Sequence, residues 1–281
     1  MGALGLGLVA AVCWGLHDLL VRRVSQSTPL MASLLAVLIA GTIFQVSVMV
    51  VTDGFVAIPP VAMRYAILSG VFFLIASLGL YHAFERGPVR LVAPVIASFP
   101  VLSVGWAAMN GTPVAWAEWL AVLAIIIGVA VVASWSDNSS EDVPPMGRTL
   151  VYAVIAAVGF GCTFAVGQLA AELSDHLPAT LVTRLVAIGL LVVLMFARRM
   201  RFWPGKAAIW VLIGMGCLDG IALMSVLSAG GMANAQYAAV ASSTFGLLTV
   251  VMAWAILRER MALLQWLGCA LAFCGIGYLA L

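Results

Sequence analysis

Ten apolar runs, each about 20 residues long, follow one another along this 281-residue chain, and the last five echo the first five with their flanking charges displaced. The runs cover 3–22, 30–51, 62–83, 89–109, 115–135, 149–171, 178–197, 207–228, 234–256 and 261–281. A helix needs about 20 apolar residues to cross the hydrocarbon of a bilayer. A helix also satisfies its own backbone there, which an open strand cannot. The chain is 64% hydrophobic and 9% charged, against roughly 25% charged residues in a soluble domain. These values predict an all-α membrane protein of ten transmembrane helices. A net charge of +2 gives no indication of a bulk electrostatic partner such as nucleic acid.

The breaks between runs carry turn-forming residues: Ser27-Thr28-Pro29, Asp53-Gly54 with Pro59-Pro60, Gly87-Pro88, Gly111-Thr112-Pro113, Pro178, Pro204-Gly205 and Gly230-Gly231. The one long polar stretch, 136–147, reads as a linker between a first five-helix repeat, 1–135, and a second, 148–281. At an offset of about 147, Trp119 falls on Trp266, and Ala11-Val12-Cys13-Trp14-Gly15 is echoed by Ala157-Val158-Gly159-Phe160-Gly161. In the first half Arg22, Arg23, Arg86 and Arg90 follow helices 1 and 3. In the second, Arg198, Arg199, Arg201 and Lys206 follow its second helix, and Arg258 and Arg260 its fourth. An odd number of spans forces a tandem copy to enter the membrane in the opposite sense, and the positive-inside rule then requires this shift. With Arg148 these residues fall on one side, predicted to be cytoplasmic; Arg64 and Arg184 are the exceptions. Both termini are expected on the non-cytoplasmic side of the cell's inner (plasma) membrane. The first basic residue is Arg22, so the first run is expected to be a permanent helix and not a cleaved leader.

Three motifs carry a resemblance. Trp14-Gly15 and Phe160-Gly161 sit in the first helix of each half. The helix 3–4 joint reads Tyr81-His82-Ala83-Phe84-Glu85-Arg86-Gly87-Pro88. The helix 9–10 joint reads Leu257-Arg258-Glu259-Arg260-Met261, followed by Gln265-Trp266-Leu267-Gly268. Together they resemble the EamA-type transporters of the drug/metabolite transporter superfamily, and among them the bacterial exporters of aromatic amino acids. Thr112 stands where many relatives carry the acid that Glu259 supplies in the second half. The resemblance implies two inverted repeats, alternating access, and a central cavity lined by helices 1, 3, 4, 6, 8 and 9.

Polar side chains inside lipid are costly and should face such a cavity. Helix 1 places Trp14, His17 and Asp18 on one face, although Asp18 could instead pair with Arg22 one turn on. Helix 3 offers Ser77, Tyr81 and His82. Helix 4 offers Ser98, Phe99 and Trp106 and is bent by Pro94 and Pro100. Helix 6 offers Phe160 and Thr163. Helix 9 offers Ser242, Ser243 and Phe245, with Gly246 as a weak point. The aromatics would provide stacking surface and the polar residues would hold the polar end of a substrate. Pro94, Pro100 and Gly246 are the expected gating positions. Arg184 and Asp219 lie 18 and 17 residues either side of position 202, which puts them at one depth in a helical hairpin; a pair is expected, either structural or proton-coupling.

The expected function is export of small metabolites, above all aromatic or large apolar amino acids, by a monomer whose partners are the substrate and the lipid bilayer. Proton-coupled export of cationic drugs is the alternative within this fold; a non-transporting membrane receptor is a further one. The sequence holds no Walker-type glycine loop, no catalytic constellation and no Cys/His metal spacing, so neither an enzyme nor a cofactor or metal is expected.

Overall fold

The computed structural model describes residues 2–52, 54–109, 114–134, 146–232 and 236–279. The described residues are all helix and connecting turn. The helices are α1 (Ala3–Val24), α2 (Leu30–Val51), α3 (Pro60–Arg86), α4 (Val89–Ala97), α5 (Pro100–Met109), α6 (Trp116–Ser134), α7 (Met146–Glu172), α8 (His176–Ala197), α9 (Ile209–Ser228), α10 (Gln236–Ser242), α11 (Phe245–Met252) and α12 (Leu263–Leu279). Seven helices among the described residues are long and apolar enough to cross a membrane; Val89–Leu102, Trp116–Val132 and Leu263–Leu279 are shorter apolar helices. Of the expected linker, residues 136–145 lie outside the described residues, and the helix expected from 149 already begins at Met146. The expected break at Gly111-Thr112-Pro113 also lies outside them.

Two spans read as continuous in the sequence are broken. The span 89–109 divides at Ser98 and Phe99. Pro100 opens α5, where a missing N–H costs nothing; Pro94 is carried inside α4 without ending it. The matching span of the second half divides at Ser243 and Thr244, then loosens into a π-helical turn at Ala253–Leu257. That turn stops at Arg258, whose φ of 55° reverses the helix sense.

The exterior is apolar. Leu4, Leu8, Val12 and Leu16 stand exposed along one stripe of α1, and Trp116, Trp119, Leu120, Leu123, Ile126 and Ile127 along α6. Faces of this kind belong in lipid. Inside, helices meet through small residues, which permit the close backbone approach that drives helix association in a bilayer. Helix α3 runs antiparallel to α7, with Gly79 against Tyr152 and Ala156, and Gly159 against Ala76. Helix α2 runs parallel to α9, with Gly216 between Val37 and Gly41. The main packing pairs between the halves are α3 with α7 and α8, α2 with α8 and α9, α1 with α9, α10 and α11, α4 with α7 and α11, and α6 with α12. With the α4–α5 and α10–α11 spans each taken as one unit, exchanging the two halves maps these contacts onto one another: α3–α7 becomes α9–α1, and α2–α9 becomes α8–α3.

One end of the bundle gathers Arg22, Arg90, Arg198 and the turn that holds Arg258 and Arg260, while Arg64 lies at the opposite end of α3 and Arg184 is buried. Arg22 Nη1 donates to the Phe84 carbonyl at 2.7 Å. Arg198 shares a groove with His82 and Tyr152 at the ends of α3 and α7. Residue 259, flanked by Arg258 and Arg260, reaches the start of α4 beside Arg90.

A side chain at Gly79 has no room: its Cβ would lie 2.8 Å from the Tyr152 oxygen and 2.9 Å from the Ala156 nitrogen. Gly79→Leu is expected to lower thermal stability in detergent by at least about 1–3 kcal/mol, the usual cost of overpacking. Gly189→Leu, where nothing lies within 4 Å, should leave the melting temperature unchanged.

Candidate functional site: a closed cavity between the halves

A narrow cavity of about 20 Å³ opens at the meeting of the two halves, room for roughly one water. The first half lines it with Trp14, His17 and Asp18 of α1, Leu34, Val37 and Leu38 of α2, Phe73, Ser77, Leu80 and Tyr81 of α3, and Phe99 at the α4–α5 break. The second half supplies Phe160 and Phe164 of α7, Asp219 of α9 and Phe245 of α11. The expected wall omitted α2. Its three apolar side chains carry no polar signal that would mark them in a helix apolar all round.

An aromatic cluster forms the apolar part. The Trp14 ring stacks on Phe164 at 5.3 Å between centroids, lies tilted 6.3 Å from Phe160, and meets Phe245 edge-on at 6.2 Å. Phe99 packs edge-on against Phe164 at 5.2 Å. Stacked and edge-on pairs exploit the ring quadrupole beyond simple area burial.

The polar part has two centres. Asp219 receives Arg184 Nη2 on one oxygen at 2.7 Å and Trp14 Nε1 on the other at 3.1 Å. Arg184 is wholly buried, with its guanidinium carbon 5.7 Å from the Phe73 ring centre. A Cβ at Gly41 would sit 2.7 Å from Arg184 Nη1, so only glycine leaves space for the guanidinium there. The second centre is His17 Nδ1 with Asp18 Oδ1 at 3.0 Å. The alternative pairing of Asp18 with Arg22 does not form, because Arg22 caps the carbonyl end of α3 instead. Asp18 Oδ2, His17 Nε2 and the Tyr81 hydroxyl are buried with no hydrogen-bond partner among the described residues.

Of the expected substrate residues, Trp14, His17, Tyr81, Phe99, Phe160 and Phe245 meet at this cavity. His82 does not: it stacks on Tyr152 at 5.0 Å, lies 3.2 Å from Glu85 and faces the outer groove with Arg198. One residue along a helix turns a side chain by about 100°, which carries His82 away from Tyr81's face. Ser98, Thr163, Ser242 and Ser243 are spent on their own helices, donating to the carbonyls of Val95, Gly159, Ala239 and Val240. The Trp106 side chain lies outside the described residues. Asp18, Phe73, Ser77, Leu80, Phe164 and Asp219 complete the wall with the three residues of α2.

The broken helices cross one another here. Gly246, just past the break in the second half, faces α4: an added Cβ would stand 2.6 Å from that of Ala97 and 3.0 Å from the Ala93 oxygen. Beyond it, Glu259 reaches across the halves. Its two carboxylate oxygens accept the N–H groups of Val89 at 3.0 Å and Arg90 at 3.2 Å. These are the orphan donors of the first turn of α4, and a carboxylate there also complements the helix dipole. The two joints singled out in the sequence are thus one contact.

These features define a multi-pass helical membrane protein whose two halves enclose one buried aromatic and polar cavity. The model of the EamA-like transporter family matches residues 1–134 and again residues 147–281, so the chain belongs to that family, within the drug/metabolite transporter superfamily. Its members are transporters and not enzymes. An uncharacterized protein of Methanocaldococcus jannaschii is 26% identical over 132 residues, 47% of this chain and 96% of that protein. A solved crystal structure of a protein superposes with a TM-score of 0.74 over 99% of this chain and 98% of the other, at 16% identity. That likeness shows the shared fold.

Breaking a buried ion pair costs about 3–5 kcal/mol because one charge is left uncompensated, whereas removing both is often tolerated. Arg184→Met and Asp219→Asn should each lower the melting temperature sharply. The double variant should regain most of the loss, since the amide that replaces the carboxylate still offers an oxygen to Trp14. Glu259→Ala removes the α4 cap and is expected to cost about 0.5–2 kcal/mol in the same assay.

Proposed function

We propose that this protein is an inner-membrane exporter of small amphipathic metabolites, most of all amino acids with aromatic or large apolar side chains, working as a monomer by alternating access. The observation that carries this reading is the composition of the closed cavity. Trp14, Phe160, Phe164 and Phe245 offer an apolar stacking surface. Beside them stand unpartnered polar atoms of both kinds, the Asp18 oxygen as an acceptor and the Tyr81 hydroxyl as a donor. An ammonium group suits the first, a carboxylate the second, and an aromatic side chain the rings. Phosphate cargo lacks a free cation at this site, because Arg184 is engaged by Asp219.

The proposed frame is two inverted five-helix repeats, 1–135 and 148–281, joined by the polar stretch 136–147. Support comes from the exchange symmetry of the packing and from the antiparallel course of α7 against α3. The proposed orientation, termini outside and basic end in the cytoplasm, is supported by the gathering of basic residues at one end. The cavity holds about one water, so cargo requires its walls to part. The α4–α5 and α10–α11 breaks, which meet at Gly246 and Ala97, are the proposed moving parts. Each already replaces part of its i→i−4 ladder with shorter i→i−3 bonds, which makes it a natural place for a bend.

Purified protein in proteoliposomes is expected to carry labelled phenylalanine and tryptophan down a gradient, saturably, and glycine at least about tenfold more slowly. Tyr81→Phe, which removes one hydrogen bond worth about 0.5–1.5 kcal/mol, should slow phenylalanine roughly two- to tenfold without loss of folded protein. Absence of any amino-acid flux, with movement of a lipophilic cation instead, would replace the cargo in this reading.

A further inference from the structure

A second hollow lies outside the closed cavity, on the outer surface at the basic end of the bundle. It is a groove of about 430 Å³, against about 20 Å³ for the cavity, and falls in the size range of small-molecule pockets. It runs along the seam between the halves. Helix α3 of the first half forms one side, and α7 and α8 of the second half, both packed against α3, form the others.

The lining is graded with depth. Ile75 and Leu78 precede His82 on α3 by seven and four residues, which sets them about 10 and 6 Å further from the end of the helix. On α7 and α8, Ile155 and Leu194 lie about one turn inward of Tyr152 and Arg198. The apolar side chains therefore stand in the depth of the bilayer, and His82, Tyr152 and Arg198 stand at its edge. Trp203, 59% exposed in the turn after α8, and Trp210, 79% exposed at the start of α9, mark the same edge, since tryptophan collects at headgroup level.

The polar end carries an unanswered positive charge. Among the described residues the Arg198 side chain has no hydrogen-bond or ion-pair partner. The nearby acid, Glu85, lies 3.2 Å from His82 Nδ1, and the His82 ring is stacked on Tyr152 at 5.0 Å. The end of α8 is shaped around this point. The Arg199 N–H donates to the Phe196 carbonyl at 3.1 Å and the Met200 N–H to the Met195 carbonyl at 2.9 Å. That closure needs one left-handed residue, usually glycine, and Arg199 fills the place with a φ of 52°. The chain folds back so that Met200 lines the groove, with Arg199 and Arg201 exposed beside Arg198.

We propose that this groove binds one anionic phospholipid of the leaflet at the basic end, with an acyl chain along Ile75, Leu78, Ile155 and Leu194 and the headgroup phosphate on Arg198. An acyl chain supplies the apolar contact that the deep part of the groove offers; a free phosphate would use the polar end alone. A zwitterionic lipid would bring its own cation to a mouth that already holds three arginines. Basic pockets between membrane helices at this level suit anionic headgroups. The site is separate from the closed cavity, and the inference does not depend on the cargo.

Native mass spectrometry of delipidated protein tests this. With phosphatidylglycerol added, one lipid per chain is expected to stay bound, and phosphatidylcholine with the same acyl chains at least about fivefold less. Arg198→Gln should lower phosphatidylglycerol retention by a similar factor, and Arg198→Lys should keep most of it. Arg260→Gln removes the same charge from an exposed turn at the same end and should change retention by less than about twofold. Phosphatidylglycerol should raise the melting temperature of the wild type and not of Arg198→Gln. Size-exclusion profiles check that each variant is folded. In the wild type, phosphatidylglycerol with a photoreactive group on its acyl chain should label peptides that contain Leu78, Ile155 or Leu194.

Equal retention of the two lipids, equal losses in Arg198→Gln and Arg260→Gln, or acyl labelling confined to other helices would each overturn the proposal. Inorganic phosphate that raises the melting temperature as phosphatidylglycerol does, with no acyl label in the groove, would give the site to free phosphate. A lipid-free dimer that Arg198→Gln dissociates would give the groove to a second copy of the chain.

Discussion

The Asp219 carboxylate is the fixed point of the molecule. In the middle of an apolar bundle neither it nor Arg184 can be solvated, so the two must meet, and the meeting joins α9 to α8. Trp14 closes the remaining oxygen and brings in α1. Gly41 of α2 leaves the space that the guanidinium occupies. One ion pair therefore sets the relative depth of four helices drawn from both halves. A buried pair adds little net stability over an apolar isostere; its effect here is to make every other depth wrong, which small-residue packing between smooth helices does not do.

Around that point the structure divides into tight and loose contacts. Where Gly79 and Gly159 let α3 and α7 touch backbone to backbone, sliding is opposed by direct contact. The α4–α5 and α10–α11 spans differ: each is interrupted at a hydroxyl-bearing turn whose side chains return their hydrogens to their own helix, as Ser98 does to Val95 and Ser243 to Val240. Such segments can change angle without exposing a new unpaired group. Glu259 then keeps the two loose spans in step, since a carboxylate at the end of one is bonded to the first N–H groups of the other.

Much of this was legible in the sequence because it is written in hydropathy and charge. The all-helical membrane class follows from runs of apolar residues, and the two stretches matched by the family follow from their repetition. Arg184 and Asp219 were placed together by their equal distance from one loop. The cavity wall was legible only where a polar or aromatic residue stood out. Leu34, Val37 and Leu38 could not be singled out, because a helix apolar all round has no face that its sequence distinguishes. His82 looked equivalent to Tyr81 until the helix turned it outward. Ser242 and Ser243 each donate to a carbonyl three residues back, Ala239 and Val240, a local bond that residue type and spacing do not distinguish from a hydroxyl free to meet a substrate. The partner of Glu259 lies about 170 residues away, a separation that no local pattern carries.

The central claim is that one cavity between the halves is reached from each side of the membrane in turn. Ser77, buried on its wall, provides the probe. In a variant with the five native cysteines replaced and Ser77→Cys introduced, a membrane-impermeant thiol reagent is applied to one face or the other of oriented vesicles. The account predicts labelling from both faces, each slowed by saturating phenylalanine. Labelling from one face alone, unchanged by phenylalanine, would contradict it.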